Sequence, residues 1–381
     1  MNVKSTEESA SHFYNIPCDI LSSVRAEERS ITMDEACALR LLLFGNTRNS
    51  FSAAWTEQGF HFRSVPPYGF IQKKAGPCGV LAAVQAYVIY ELLFGISHVD
   101  ASFGLLRLKS SQKVEALARA LASILWQAGD SERAIVAMKR NNAVESTSTS
   151  SAVLEIDGIL EHLQLKYFEC KSCLLEFFVN SKPEVMSDHD GSCIYFLYSL
   201  ILTKGVEKIR KEMDYPECHL IGNDGYCSQE IINLILIGKA VPNLFDGDVE
   251  LNSGGSENTR FHGIPSQSRI GLLSLYEYQE TCTVGDNLKY PKFPIWILLA
   301  DSHFTVLFAA SQKVLKKKFK KSFVLYHYDG LAKRFAETSF TIDPASYSVM
   351  PEKNRSLPIV VQCIYTRWPY ASIQEIEEPK E

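Results

Sequence analysis

No apolar run in this sequence is long enough to cross a bilayer. The longest, such as IYFLYSLIL at 194–202, reach about half of the ~20 residues a spanning helix requires. The opening residues, MNVKSTEESASHF, lack the apolar core of a secretion signal. Positive charge is not in excess either. Thirty-nine Lys and Arg stand against 44 Asp and Glu, a net charge of -5, which argues against a nucleic-acid partner. There is no phosphate-binding Gly-rich loop with its lysine, no Gly-x-Ser-x-Gly elbow and no His-Glu-x-x-His helix. No internal repeat is visible. With 46% apolar and 22% charged residues, the balance is that of an ordinary globular chain. The expectation is a cytoplasmic or nuclear monomer with no membrane or nucleic-acid partner and no cofactor.

Cysteine is not scarce. Ten are present: Cys18, Cys37, Cys78, Cys170, Cys173, Cys193, Cys218, Cys227, Cys282 and Cys363. They are scattered, and a chain of this length builds a core without disulfide staples. In a reducing compartment these thiols stay free. The pair in CKSC (170–173) could join Cys193, Cys218, His219 or Cys227 around zinc, but no second close-spaced pair supports it.

The first half reads as helices. TMDEACALRLLLFG (32–45) has a Thr32/Glu35 capping box and Gly45 as its stop. GPCGVLAAVQAYVIYELLFG (76–95) starts with Pro77 in its first turn. SSQKVEALARALASILWQAG (110–129) places Val114, Leu117, Leu121 and Leu125 on one face. RNNAVESTSTSSA (140–152), SKPEVMSDHDGS (181–192) and 245–263 read as loops. The second half changes character. PIWILLA (294–300), HFTVLFA (303–309) and FVLYHY (323–328) read as adjacent strands. The basic run KVLKKKFKK (313–321) reads as their connecting loop, more a solvated charge run than a binding surface. The predicted class is α+β, a helical half followed by an antiparallel sheet.

Cys78 stands where chemistry is easiest to arrange. A free thiol is mostly protonated at pH 7, and a helix N-terminus favours the thiolate. A histidine must then take the proton and return it. His12, His61, His189 and His262 lie in terminal or loop segments, and His162 in a predicted helix. His98 follows the Cys78 helix too closely to fold back. His219 and His327 remain open, alongside His303 at the start of a predicted strand in DSHFTV.

QKKAGPCGVLAAVQ, PIWILLADSHFTVLF and LYHYDGLA together resemble the MINDY family of deubiquitinases. GYCSQEIINLILIGKAVPNLFDG (225–247) and IGLLSLYEY (270–278) resemble that family's third and fourth members, the fourth-member type or its B-type paralogue above all. The resemblance runs from about residue 32 to 370. It implies a papain-like cysteine protease-type fold and an isopeptidase acting on lysine-48-linked polyubiquitin. It implies Cys78 as nucleophile, His303 as general base and Gln72 as oxyanion donor. Asp329, closing the next strand in LYHYDG, is the candidate to orient the imidazole, ahead of Asp301. The expected layout is a flexible segment at 1–31, one catalytic domain at 32–370 and an acidic tail at 371–381.

The family pattern is broken in two places. Ala75-Gly76 stands where two glycines precede Pro-Cys, and the added methyl is expected to crowd the oxyanion hole. A Trp-Asn is missing after the Trp-Pro at 368–369, and the N-terminal extension of some relatives is not seen. An inactive ubiquitin-binding paralogue is therefore the alternative.

Overall fold

The computed structural model describes residues 27–95, 107–139, 159–180, 191–251, 259–316, 319–333, 336–347, 349 and 352–376. The loop expected at 140–152, most of 181–192, and His12, His98 and His189 lie outside the described residues.

Strand β1 (Glu28–Ser30) leads into α1 (Met33–Phe44). Thr32 caps α1 as its spacing predicts: its hydroxyl accepts from the Glu35 amide at 3.2 Å, and the Glu35 carboxylate accepts from the Thr32 amide at 2.9 Å. Helix α2 (Cys78–Phe94) is apolar on every side and buried along nearly its whole length, which marks the central element of a core rather than a surface helix. Helix α3 (Ser110–Ala128) packs beside it. Leu117, Leu121 and Leu125 are buried on the predicted face, whereas Val114, near the start of the helix, is 42% exposed.

The helical half is not purely helical. Strands β2 (Ala134–Lys139) and β3 (Leu163–Phe168) form an antiparallel sheet in the order β1-β3-β2. Helix α4 (Lys171–Asn180) follows β3, and α5 (Ser192–Lys204) covers the outer edge of β2. That edge leaves amides without a neighbouring strand. The Thr203 and Ser199 hydroxyls of α5 accept from Ile135 and Ala137, both at 2.8 Å, so the edge is closed to further pairing.

Helix α6 (Gln229–Ile237) packs against α2, and a short ribbon, β4 (Val249–Leu251) with β5 (Thr259–Phe261), follows. The remaining strands are β6 (Gly271–Ser274), β7 (Ile295–Ala300), β8 (His303–Phe308), β9 (Phe323–Tyr328) and β10 (Glu337–Asp343). Helix α7 (Ile359–Arg367) and β11 (Ser372–Glu375) complete a six-stranded sheet in the order β11-β10-β9-β8-β7-β6. The three predicted strands are neighbours in it. The sheet is mixed rather than antiparallel throughout, because β6 runs parallel to β7. The basic connection opens with a 3-10 turn at Gln312–Leu315.

Alternation along the strands builds two cores. Ile295, Ile297, Phe304, Val306 and Phe308 join the helical cluster around α2. Trp296, Leu298, Leu307 and Leu325 pack with Ile364 and Trp368 of the α7 region on the other face. Ordered structure also extends past the expected 32–370 domain at both ends: β1 pairs with β3, and β11 pairs with β10.

Candidate active site

Cys78 is the first residue of α2, with Pro77 as its N-cap. Leu81 N–H donates to the Pro77 carbonyl at 3.0 Å, so the Cys78 amide belongs to the first turn, where no backbone carbonyl of the helix can satisfy it. Two glycines set the entry. Gly76 has φ +126, and a Cβ there would stand 3.2 Å from the Trp55 indole nitrogen and 3.3 Å from the Gly225 carbonyl. Gly79 lies so close to α6 that a Cβ would come within 2.5 Å of Ile232 and 2.7 Å of the Cys227 sulfur. The strained position therefore falls on Gly76. Ala75 is exposed and free of left-handed φ.

His303 arrives from the sheet. Ala300 pairs with His303 across a turn made only of Asp301 and Ser302, at φ 48 and 61. Two positive-φ residues suit the twist of a two-residue hairpin, a conformation glycine or asparagine usually supplies. The Ser302 carbonyl accepts from the Cys78 thiol at 3.7 Å.

The imidazole Nε2 lies 2.9 Å from Asp329 Oδ1. Cys78 is the ring's second polar neighbour after Asp329, and with Nε2 engaged, Nδ1 is the nitrogen left for the thiol. The bond to Asp329 first, then the Cys78 thiol, raise the His303 pKa to about 9, against burial. Burial works against the charge on Asp329. The His303 bond, the imidazolium charge and the Leu331 amide at 2.9 Å outweigh it, and the carboxyl sits below its usual range. Asp301 stays in the turn.

Gln72 is buried, 6% exposed, and lines with Cys78 a cavity of about 20 Å³, room for no more than a water. Its side-chain amide donates to the Lys74 carbonyl at 2.8 Å, and its backbone amide donates to Gly330 at 2.9 Å. The segment that carries Gln72 is thereby stitched to the residue after Asp329.

Two further glutamines hold this segment, and sequence inspection did not find them. Gln58 is fully buried. It donates to the Ile71 carbonyl at 3.0 Å and accepts from the Lys73 amide at 2.9 Å, gripping the backbone on both sides of Gln72. Gln85, two turns along α2 from Cys78, accepts from Phe70 N–H at 2.6 Å and donates to the Tyr68 carbonyl at 2.7 Å. A buried glutamine carries no signal of its own in a sequence; only the fold reveals what it bridges.

The competing histidines are engaged elsewhere. His327 bridges Thr305 and Thr338 between strands, and burial pushes its pKa down to about 4. His219 lies against Gly45, and His262 against Asp248. Among the thiols, burial raises Cys193, Cys227 and Cys363 away from easy ionisation. Among the described residues, no group of three or more His, Cys, Asp or Glu side chains is placed to hold a metal, so the CKSC pair has no further zinc ligands there. No helix among them is long and apolar enough to cross a membrane.

A helix-borne thiol, a strand-borne imidazole and a carboxylate behind it thus meet at one place in the fold. The family model for the deubiquitinating enzyme MINDY-3/4 conserved domain matches residues 40–375, and the chain belongs to this family. It is 39% identical over 362 residues to a human protein named probable ubiquitin carboxyl-terminal hydrolase MINDY-4, covering 94% of this chain and 47% of that one. The Xenopus tropicalis protein of that name is 38% identical over 363 residues, covering 94% and 48%. Human ubiquitin carboxyl-terminal hydrolase MINDY-3 is 33% identical over 278 residues, covering 67% and 60%. The chain spans about half the length of the MINDY-4 relatives it matches. No solved structure matches.

Proposed function

We propose that the chain is a thiol-dependent deubiquitinase that hydrolyses isopeptide bonds in lysine-48-linked polyubiquitin, acting as a monomer in cytoplasm or nucleus. The observation that carries the reading is the His303 imidazole, hydrogen-bonded to Asp329 and set beside Cys78 at the start of α2. His303 takes the thiol proton, and the thiolate attacks the isopeptide carbonyl. The Cys78 amide and the Gln72 side chain receive the developing oxyanion. The imidazolium then protonates the departing lysine amine, and water, deprotonated by the same ring, clears the thioester. Asp329 holds the ring and stabilises its charge. The linkage preference and the papain-like description rest on the family resemblance. The pairing of a helical thiol with a strand imidazole supports the latter.

One observation favours a second reading, a catalytically inactive ubiquitin-binding paralogue. Cys78 is 1% exposed, its thiol faces the Ser302 carbonyl, and the Gln72 amide is engaged with Lys74. Incubation with a ubiquitin probe carrying a C-terminal electrophile, and with lysine-48-linked tetraubiquitin, separates the two. An adduct on Cys78 with chain cleavage supports the enzyme. Chain binding with neither adduct nor cleavage supports the paralogue.

A further inference from the structure

We propose that Cys170 and Cys173 form a dithiol that exchanges with small anionic disulfides of the glutathione class and closes an internal disulfide. The pair lies far along the fold from the nucleophile's turn, where β3 passes directly into α4. This strand, C-x-x-C, helix order is the local arrangement that dithiol–disulfide chemistry uses.

The backbone brings the two residues within bonding range. Leu174 N–H donates to the Cys170 carbonyl at 3.0 Å, so Cys170 stands at the N-cap of the ten-residue helix Lys171–Asn180. Residues three apart in such a turn have Cα atoms about 5 Å apart, inside the range a disulfide spans. Cys170 Sγ lies 2.9 Å from the Ser172 hydroxyl, and Cys173 is the other side chain that acts on the Cys170 thiol. Both are partly exposed.

The pair is asymmetric, as an attacking and a resolving thiol must be. The Ser172 hydroxyl first, then, against burial, the amide and thiol of Cys173, lower the Cys170 pKa to about 7. Burial, followed by the Cys170 thiol, raises Cys173.

Beside the pair opens a cavity of about 660 Å³. Lys171 and Ser172, the two residues between the cysteines, line it together with Arg119, Arg269 and Glu91. Arg119 is paired with Glu115 at 2.8 Å, which leaves Lys171 and Arg269 facing Glu91 in the lining, and burial lowers the Lys171 pKa as it raises that of Glu91. An anionic tripeptide disulfide suits this lining better than a neutral one.

The exchange is balanced without another oxidant. Cys170 thiolate attacks one sulfur of oxidised glutathione, that S–S bond breaks, and one glutathione thiolate leaves. Cys173 then attacks the Cys170 sulfur, expels the second glutathione, and its proton ends on that leaving thiolate. Two protein thiols are oxidised and one disulfide is reduced to two thiols.

The test uses the reduced full chain, mixed with oxidised glutathione, quenched with a maleimide and read by intact mass and peptide mapping. The expected result is one cross-linked species joining Cys170 to Cys173. Cys173→Ser should trap glutathione on Cys170, while Cys170→Ser should leave Cys173 slower by about tenfold or more. Lys171→Glu should slow exchange with oxidised glutathione more than with neutral hydroxyethyl disulfide. The dithiol is overturned if wild type gives no linked peptide, or if exposed Cys218 is glutathionylated as fast as Cys170. Equal slowing with both disulfides overturns the anionic cavity. None of these readouts involves ubiquitin, so they succeed or fail independently of the proposed hydrolase.

Discussion

Cys78 and Cys170 both stand at the start of a helix, and their surroundings make them opposites. Cys78 is 1% exposed, opens an apolar helix through the core and faces an imidazole. Cys170 is partly exposed, opens a helix at the rim and faces a second thiol beside a cationic cavity. The helix terminus is common to both, so it cannot be what assigns the chemistry. The partner does that: an imidazole can carry a proton to a leaving amine, whereas a thiol can close a disulfide. The cavities differ in the same sense, about 20 Å³ at Cys78 and about 660 Å³ near Cys170.

Exchanging the roles should fail, and that is the largest expected effect. Cys78→Ala should lower chain cleavage by about 10⁴-fold or more and abolish the ubiquitin-probe adduct, yet leave the Cys170–Cys173 cross-link intact. Cys170→Ser should do the reverse, with cleavage rates measured on tetraubiquitin within about twofold of wild type. A loss of cleavage in Cys170→Ser would break the separation of the two sites.

Gln72→Ala comes next. Removing one oxyanion donor costs about 10²–10³ in turnover, and single-turnover cleavage should show it with chain affinity unchanged. Activity equal to wild type would remove Gln72 from the chemistry.

Asp329→Asn should lower turnover by about tenfold or more by releasing the imidazole, and it sharpens the comparison through pH. The folded His303 pKa of about 9 exceeds the ordinary value of about 6.5. The stabilisation from this pairing is therefore complete below about pH 6.5 and is lost as pH rises through about 9. Melting temperature recorded between those limits should fall with pH in wild type and flatten in Asp329→Asn. His327 provides the internal contrast. Its folded pKa of about 4 means it opposes folding only as pH drops below about 6.5.

The smallest effect on activity is expected at Gln58. Gln58→Ala removes the hydrogen bonds to the Ile71 carbonyl and the Lys73 amide, at about 0.5–1.5 kcal/mol each. Its influence on turnover should pass through Gln72. The double variant Gln58→Ala/Gln72→Ala should then turn over no more slowly than Gln72→Ala alone, a non-additivity that single-turnover rates can read.

Much of this was legible in the residues, and the reasons differ by element. Helix α1 announces itself because Thr32, Glu35 and Gly45 are local signals, each satisfied within a few residues. Strands β7, β8 and β9 fall at their predicted places because short β-branched and aromatic segments flanked by turn residues leave little choice. The sheet of β1, β2 and β3 was missed although LQLKYF alternates, because its partners lie far apart in the chain. Parallel pairing of β6 with β7 leaves no mark in either strand. At the site, Cys78, His303 and Asp329 were recognisable as residue types at strand and helix ends. Their mutual distances depend on how α2 seats against β8, which no local pattern encodes.

The Asp301–Ser302 connection bears on what lengths of chain this site tolerates. Ala300 and His303 are already a ladder pair, so two residues are the whole span. An insertion there must either bulge or slide β8 by one position, and a slide exchanges the faces of every side chain on that strand. Deleting a residue leaves too little backbone to reverse direction. Composition at 301 and 302 is free to drift toward asparagine or glycine, but length is not. Insertions and deletions within the fold should accumulate instead in the long connection between β8 and β9, where the reach of the chain exceeds the gap it closes.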